Sequence, residues 1–153
     1  MEGARSTGKA LSVVVERSSR YTKLQIVMDK TAHAKTHAVT TSLSSFPLRL
    51  RKTITIDNGS ENTGCRQWGL TVYRCNPYHS WEKGSVENMI GRIRRYIPKG
   101  TDLALYSDQD IQHLEHLLNN TPRKCLGYKT PKETLLQFLG YKPSYIPKWC
   151  NSK

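Results

Sequence analysis

Hydrophobic positions along this chain change their period from strand-like to helix-like near its middle. Leu11 to Glu16 and Thr22 to Met28 are β-rich runs on either side of the polar turn Arg17 to Arg20, which predicts an antiparallel hairpin. From Lys30 to about Ser45, Ala32, Ala34, Ala38, Val39 and Leu43 form a loose apolar stripe that predicts a helix despite its threonines, ended by Phe46-Pro47. Thr53-Ile54-Thr55-Ile56 then reads as a short buried strand that delivers Asp57 to an Asp-Asn-Gly turn. Leu70 to Tyr73 reads as another, broken at Asn76-Pro77, while Ser60 to Gly69 is too short and polar to predict a helix.

Beyond this point the spacing is helical. Val86, Met89, Ile90, Ile93, Tyr96 and Ile97 predict one buried helix face, with Ser85 as N-cap and Pro98-Lys99-Gly100 as the stop. Ser107 to Asp110 has the form of a capping box, opening a helix whose core side is Ile111, Leu114, Leu117 and Leu118. Thr130-Pro131-Lys132-Glu133 combines an N-cap hydroxyl, Pro at N1 and Glu at N3, leading into Leu135, Leu136 and Leu139 and stopped by Gly140.

Composition narrows the class of partner. The 153 residues suit one domain and carry 24 Lys+Arg against 12 Asp+Glu, a formal charge of +12, so a polyanion is the first partner to suspect. The charge is clustered: Lys83, Arg92, Arg94, Arg95 and Lys99 stand against the single acid Glu87, whereas Gly100 to Asn120 holds acids and no Lys or Arg. No apolar run approaches the ~18 residues of a membrane span, and Met1 to Leu11 lacks a signal-peptide core, so an intracellular place is expected. The four cysteines form no C-x-x-C pair and are expected to be reduced; Cys75 and His79 have a zinc-like spacing without a second pair.

Two carboxylates are the chemical candidates. Asp57 would project from a strand end into a turn, although an Asp-Asn-Gly by itself is a common turn with a capping acid. Glu87 lies in the first turn of its helix, and positions i+4, i+7 and i+8 bring Gly91, Arg94 and Arg95 onto the same stripe. That stripe suits a phosphodiester backbone lying along the helix, or it is a solvated face ordered by the helix dipole; a mid-helix glycine, which costs about 1 kcal/mol against Ala, favours the first. His33 and His37 are i, i+4 neighbours but make no H-E-x-x-H, so exposed polar residues are expected. His79 could hydrogen-bond phosphate, order the active-site loop or be merely structural, and Trp81, Tyr78 and Tyr96 read as core or loop anchors rather than base-stacking platforms.

Three blocks carry a resemblance: Thr55-Ile56-Asp57-Asn58-Gly59-Ser60-Glu61, then Asn76-Pro77-Tyr78-His79-Ser80-Trp81-Glu82-Lys83-Gly84-Ser85-Val86-Glu87-Asn88, then Arg94 to Leu103. Together with Asn119 to Pro131, they resemble the catalytic domain of the IS-thirty family of insertion-sequence transposases, within the DDE transposase and retroviral integrase superfamily. The resemblance implies an α/β fold, an RNase H-like mixed sheet flanked by helices. Residues 1–104 would form the integrase-like core and 105–153 a helical part of the same domain. It further implies Mg²⁺ (or Mn²⁺) held by Asp57 and Glu87 as catalytic and metal ligands, with Lys83, Arg94, Arg95 and His79 on DNA.

In the family a first Asp lies on a strand upstream of the hairpin, and aligning through Lys9-Ala10-Leu11 places it just before Met1, so the sheet is expected to be N-terminally incomplete. The 30 positions from Asp57 to Glu87 are also fewer than the family has. The implied function is Mg-dependent DNA strand cleavage and strand transfer, with the isolated chain expected to be inactive or nearly so. The implied partners are double-stranded DNA and a homo-oligomer or full-length transposase, with no membrane, in the bacterial cytoplasm near the nucleoid. The rival is a non-catalytic DNA-binding remnant that interferes with a transposase. A generic RNA-binding domain is disfavoured, since no RNP-like aromatic strand or GXXG loop is present.

Overall fold

The computed structural model describes residues 8–29, 31–76 and 84–141. Strands β1 (Ala10–Val15) and β2 (Thr22–Val27) pair antiparallel, with Ala10 opposite Val27 and Val15 opposite Thr22. The turn between them is organised by Glu16, whose carboxylate accepts from the main-chain N–H groups of Ser18 (3.0 Å) and Ser19 (2.6 Å) and from the Ser19 hydroxyl. Arg20 completes it at φ 62°, a left-handed conformation that is unfavourable by roughly 1–2 kcal/mol for a residue with a Cβ. Helix α1 (Ala32–Ser44) follows, capped by Thr31, whose hydroxyl accepts from Ala34 N–H. Its threonines are accommodated because Thr36 and Thr40 donate back to the carbonyls of Ala32 and Thr36 at 2.7 and 2.8 Å.

β3 (Thr53–Ile56) and β4 (Thr71–Arg74) pair parallel, Ile54 opposite Val72. Both pairing types expected of a mixed sheet are therefore present, but the described strands form two separate two-stranded sheets. The stretch expected to stay irregular instead forms a 3₁₀ segment, Ser60–Trp68. Its polarity hides two anchors: Cys65 and Trp68 are buried with Val39 and Ile56, and Gly64 lets the segment approach Thr36 of α1. Tertiary burial thus overrides weak local propensity.

Three helices complete the fold: α2 (Gly84–Ile93), α3 (Asp108–Asn120) and α4 (Pro131–Phe138). Both anticipated capping boxes are made, Ser107 with Asp110 and Thr130 with Glu133. Gly140, at φ 79°, ends α4 as Tyr141 N–H reaches back to Leu136 O at 3.0 Å. α2 is shorter than its periodicity predicts. After Ile93 the chain tightens, with Arg95 and Tyr96 N–H groups bonding to the carbonyls of Arg92 and Ile93, three residues back. Tyr96 is consequently 50% exposed rather than buried, while Ile97 turns inward; on α3, Leu117 is also 39% exposed, at the margin of the apolar stripe.

The largest apolar cluster joins Leu11 and Leu24 of the hairpin to Met89, Ile93, Ile97, Leu103, Ile111, Leu114 and Leu118. A further cluster sets Tyr21 edge-on to Phe46, ring centroids 5.9 Å apart, against Leu135. Side chains of α3 also close the outer edge of β2. Buried Asn119 accepts from Thr22 N–H at 2.9 Å and donates to Thr22 O at 2.8 Å, and Glu115 accepts from Leu24 N–H at 2.8 Å while pairing with Lys23 at 2.7 Å. No helix among the described residues is long and apolar enough to cross a membrane.

Candidate active site

Asp57 directly follows β3, whose last residue, Ile56, is buried, and both residues line one open cavity. The turn is pinned from two sides. Asn58 donates to the carbonyl of Cys75 at 2.9 Å, tying the exit of β3 to the end of β4. Asn62 donates to Asp57 O at 3.1 Å and to the Asp57 carboxylate at 2.5 Å, which fixes the direction of that carboxylate. Asn62 is only 1% exposed, and its own Oδ1 has no hydrogen-bond partner among the described residues. Sequence reasoning passed over Asn62 because it lies in the stretch judged irregular. The only available signal was an amide five positions after the acid.

Glu87 sits exposed in the first turn of α2, where a carboxylate complements the positive end of the helix dipole. Ser85, expected as the N-cap, lies one residue inside the helix, and its hydroxyl instead accepts from the Arg20 guanidinium of the hairpin turn. This contact links the strained turn to the segment that carries Glu87, and no local pattern announced it.

Asp57 and Glu87 line one cavity of about 1260 Å³, bounded by β1, β3 and parts of α1 and α2. Its lining is mixed in charge rather than basic: Arg17, Lys35, Arg49, Arg51 and Lys52 stand with Glu16, Asp29, Asp57 and Glu87. Arg51 is already engaged, donating to the carbonyls of Phe46 and Ser44 at 2.7 and 2.8 Å and so closing the C-terminus of α1. Arg94 and Arg95 do not line the cavity; they are exposed in the tightened turn after α2, beyond the regular helix on which the stripe was counted. Lys83 and His79, along with Tyr78 and Trp81, fall outside the described residues.

The donors available at the cavity are hard oxygens, which suit Mg²⁺. Among the described residues, however, no three His, Cys, Asp or Glu side chains gather to hold an ion. Asp57 and Glu87 thus match the cation in chemistry, and two carboxylates are a set that Mg²⁺ commonly uses together with water and phosphate oxygens. His33 and His37 are exposed, as expected, and Cys65 and Cys125 are free thiols. A basic group not anticipated is Arg123, 3% exposed and beyond α3. It donates to Leu118 O at 2.9 Å, and burial, then the nearby charge of Arg92, pull its pKa below the usual guanidinium value.

No protein-family model matches the chain. It is similar to the transposase for insertion sequence element IS1086 of Cupriavidus metallidurans, 37% identical over 142 residues, which cover 90% of this chain and 42% of that protein. It is also 38% identical over 129 residues to the transposase InsI for IS30A of Escherichia coli, covering 82% of this chain and 34% of the relative. With the transposase for IS4351 of Bacteroides fragilis the identity is 46% over 91 residues, 57% of this chain and 28% of the relative. The chain therefore spans less than half the length of these curated relatives. The resemblance read from the three sequence blocks is borne out, and the chain is related over most of its length to insertion-sequence transposases, those of IS30 elements among them.

Proposed function

We propose that this chain is part of the catalytic core of a DNA transposase, an RNase H-like unit in which Asp57 and Glu87 serve as metal-binding carboxylates and DNA is the substrate. The observation that carries the reading is that two acids from distant segments, one at a strand end and one on a helix, line the same cavity in a chain whose relatives are transposases. When bound, Mg²⁺ or Mn²⁺ would supply activation of a water or 3′ hydroxyl and stabilise the leaving oxygen of a displacement at phosphorus. The chain's own contribution is positional: Asn62 holds the Asp57 carboxylate, and Arg20 holds the start of the Glu87 helix. Arg94 and Arg95, with Lys83 and His79, are proposed to meet the DNA backbone, where each neutralised phosphate releases counterions.

The count of ligands favours a second reading for the isolated chain. With no third ligand gathered among the described residues, Mg²⁺ binds weakly and the chain acts as a non-catalytic DNA-binding piece that interferes with a complete transposase. Mn²⁺ titration followed by electron paramagnetic resonance, with a terminal-repeat DNA duplex present, tests the site itself. Asp57→Asn and Glu87→Gln should each weaken Mn²⁺ binding, and equal affinity in all three proteins would remove both residues from the metal site. Strand cleavage by the isolated chain should be absent or barely detectable. Robust cleavage abolished by Glu87→Gln would overturn the non-catalytic reading and leave the catalytic one standing.

A further inference from the structure

We infer that the face shared by the turn after α2 and the loop 123–129 takes an unpaired strand of DNA, its bases stacked on Tyr96 and Tyr128 and its phosphates over Arg92 and Lys124. The inference rests on the DNA reading above and adds a second surface to it, since none of residues 91–137 lines the cavity of Asp57 and Glu87.

A buried cation without a counter-charge carries the first half of the argument. Arg123 is 3% exposed, and its Nε has no hydrogen-bond partner among the described residues. Nη2 donates to Leu118 O at 2.9 Å and lies 4.0 Å from Met89 Sδ, so the guanidinium sits between the loop and α2. Burial first, then the charge of Arg92, hold its pKa down, and the Tyr96 phenol and the Cys125 thiol also act on it. No carboxylate is among those groups. A charge taken out of water without an opposite charge is costly, and a second cation beside it adds to that cost. An anion laid across this face offsets both, and in a low local dielectric Arg123 attracts it from below without touching it.

Two rings decide what kind of anion this is. The apolar spacing predicts a core place for Tyr96, but the tightened turn leaves it 50% exposed. Tyr128 is 72% exposed, on a loop closed by Arg123 N–H to Lys129 O at 3.0 Å and by Tyr128 N–H to Arg123 O at 2.9 Å. Gly127 and Tyr128 are both left-handed there, at φ 62° and 65°, a conformation that glycine takes freely and tyrosine takes at a cost. The loop accepts that cost and presents the ring to solvent. Among the described residues neither ring packs on another aromatic side chain. Open aromatic faces beside cations are the combination that holds single strands, because bases stack on the rings while the cations track the backbone. A duplex, whose bases are already stacked, or an acidic peptide, which has none, would use the charges and leave the rings idle.

The test uses the full chain and three labelled probes of equal length, about 12 nucleotides: oligothymidylate, the same backbone without bases, and a blunt duplex. Binding is read by fluorescence anisotropy. Maleimide alkylation of the exposed Cys125 thiol, followed by peptide mass spectrometry, reports whether the face is occupied. Tyr96→Ala and Tyr128→Ala should each weaken oligothymidylate binding about fivefold or more, leave duplex binding within about twofold, and be rescued by Phe at the same position. Both side chains are exposed, so the variants should melt as the native chain does. Oligothymidylate should also slow alkylation of Cys125. Equal affinity for the strands with and without bases, unchanged binding in both alanine variants, or alkylation of Cys125 at its free rate would overturn the inference. So would a poly-glutamate peptide that shields Cys125 as well as the strand does, which would mark the face as a site for an acidic protein. Duplex binding that persists while the tyrosine effects are absent sinks this inference alone, whereas loss of binding to every probe sinks the DNA reading with it.

Discussion

Asn119→Ala isolates the clasp between α3 and the hairpin. Asn119 is 3% exposed, and its side-chain amide makes two hydrogen bonds, both to the main chain of the fully buried Thr22. Alanine removes both partners, and the Thr22 N–H and C=O remain enclosed. Each buried main-chain group left unsatisfied costs about 1–3 kcal/mol, so the variant should lose roughly 2–5 kcal/mol. At an m-value of ~2 kcal/mol/M, the urea midpoint falls by about 1–2.5 M with m unchanged. The adjacent Asn120→Ala is the control. Asn120 is exposed and among the described residues donates to His116 O alone, so its removal should cost less than about 0.5 kcal/mol. Amide exchange at Thr22 should accelerate in Asn119→Ala and stay slow in Asn120→Ala. A loss below about 1 kcal/mol with Thr22 still protected would show that water or rearranged side chains satisfy the strand edge, and the clasp argument would fail.

Three further outcomes are expected. In Gly64→Ala the new Cβ would overlap the Thr36 hydroxyl, so that side chain must turn and give up its bond to Ala32 O or the 3₁₀ segment must shift; a loss of about 1–3 kcal/mol, partly restored by adding Thr36→Ala, should appear in thermal melts. Arg94→Ala combined with Arg95→Ala should flatten the plot of log K against log salt for duplex DNA by roughly two units, and an unchanged slope would take both residues off the phosphates. Hydrogen bonds from the Ser107 hydroxyl and N–H hold the Asp110 carboxyl below its ordinary 3.8, so its contribution to stability is present above that value and lost as the pH falls through the lower folded value. The stability gap between the native chain and Asp110→Asn should therefore be open at pH 7 and close in acid, and a gap that persists at pH 2 would refute the assignment.

Elements whose signals are local were legible in the sequence. The hairpin, the helix after Thr31, the strand ending at Asp57 and both capping boxes follow from alternation, cap chemistry and proline placement. What was not legible depends on residues far apart in the chain. Arg20 meets Ser85 across 65 positions and Asn119 meets Thr22 across 97, and neither pairing leaves a trace in a local window. Ser60–Trp68 misled for the opposite reason: its local composition is polar, while its order comes from burying Trp68 and Cys65 beneath α1. Periodicity over-extended α2, because Ile97 keeps the apolar spacing although the backbone has already tightened at Arg95 and Tyr96. At the candidate site, the two acids stood out by residue type and spacing, whereas the amide that orients Asp57 did not.

The 97 positions between Thr22 and Asn119 also impose an order in time. A ribosome adding about 5–20 residues per second needs roughly 5–20 s to proceed from one to the other, and for that interval the outer edge of β2 has emerged without the helix that closes it. The hairpin's apolar face waits as well, since Ile111, Leu114 and Leu118 of the same helix arrive last among the residues that cover Leu11 and Leu24. Newly made chains thus pass through a stage in which a strand edge and an apolar surface are open together, the condition in which a chain is prone to aggregate before its fold is complete.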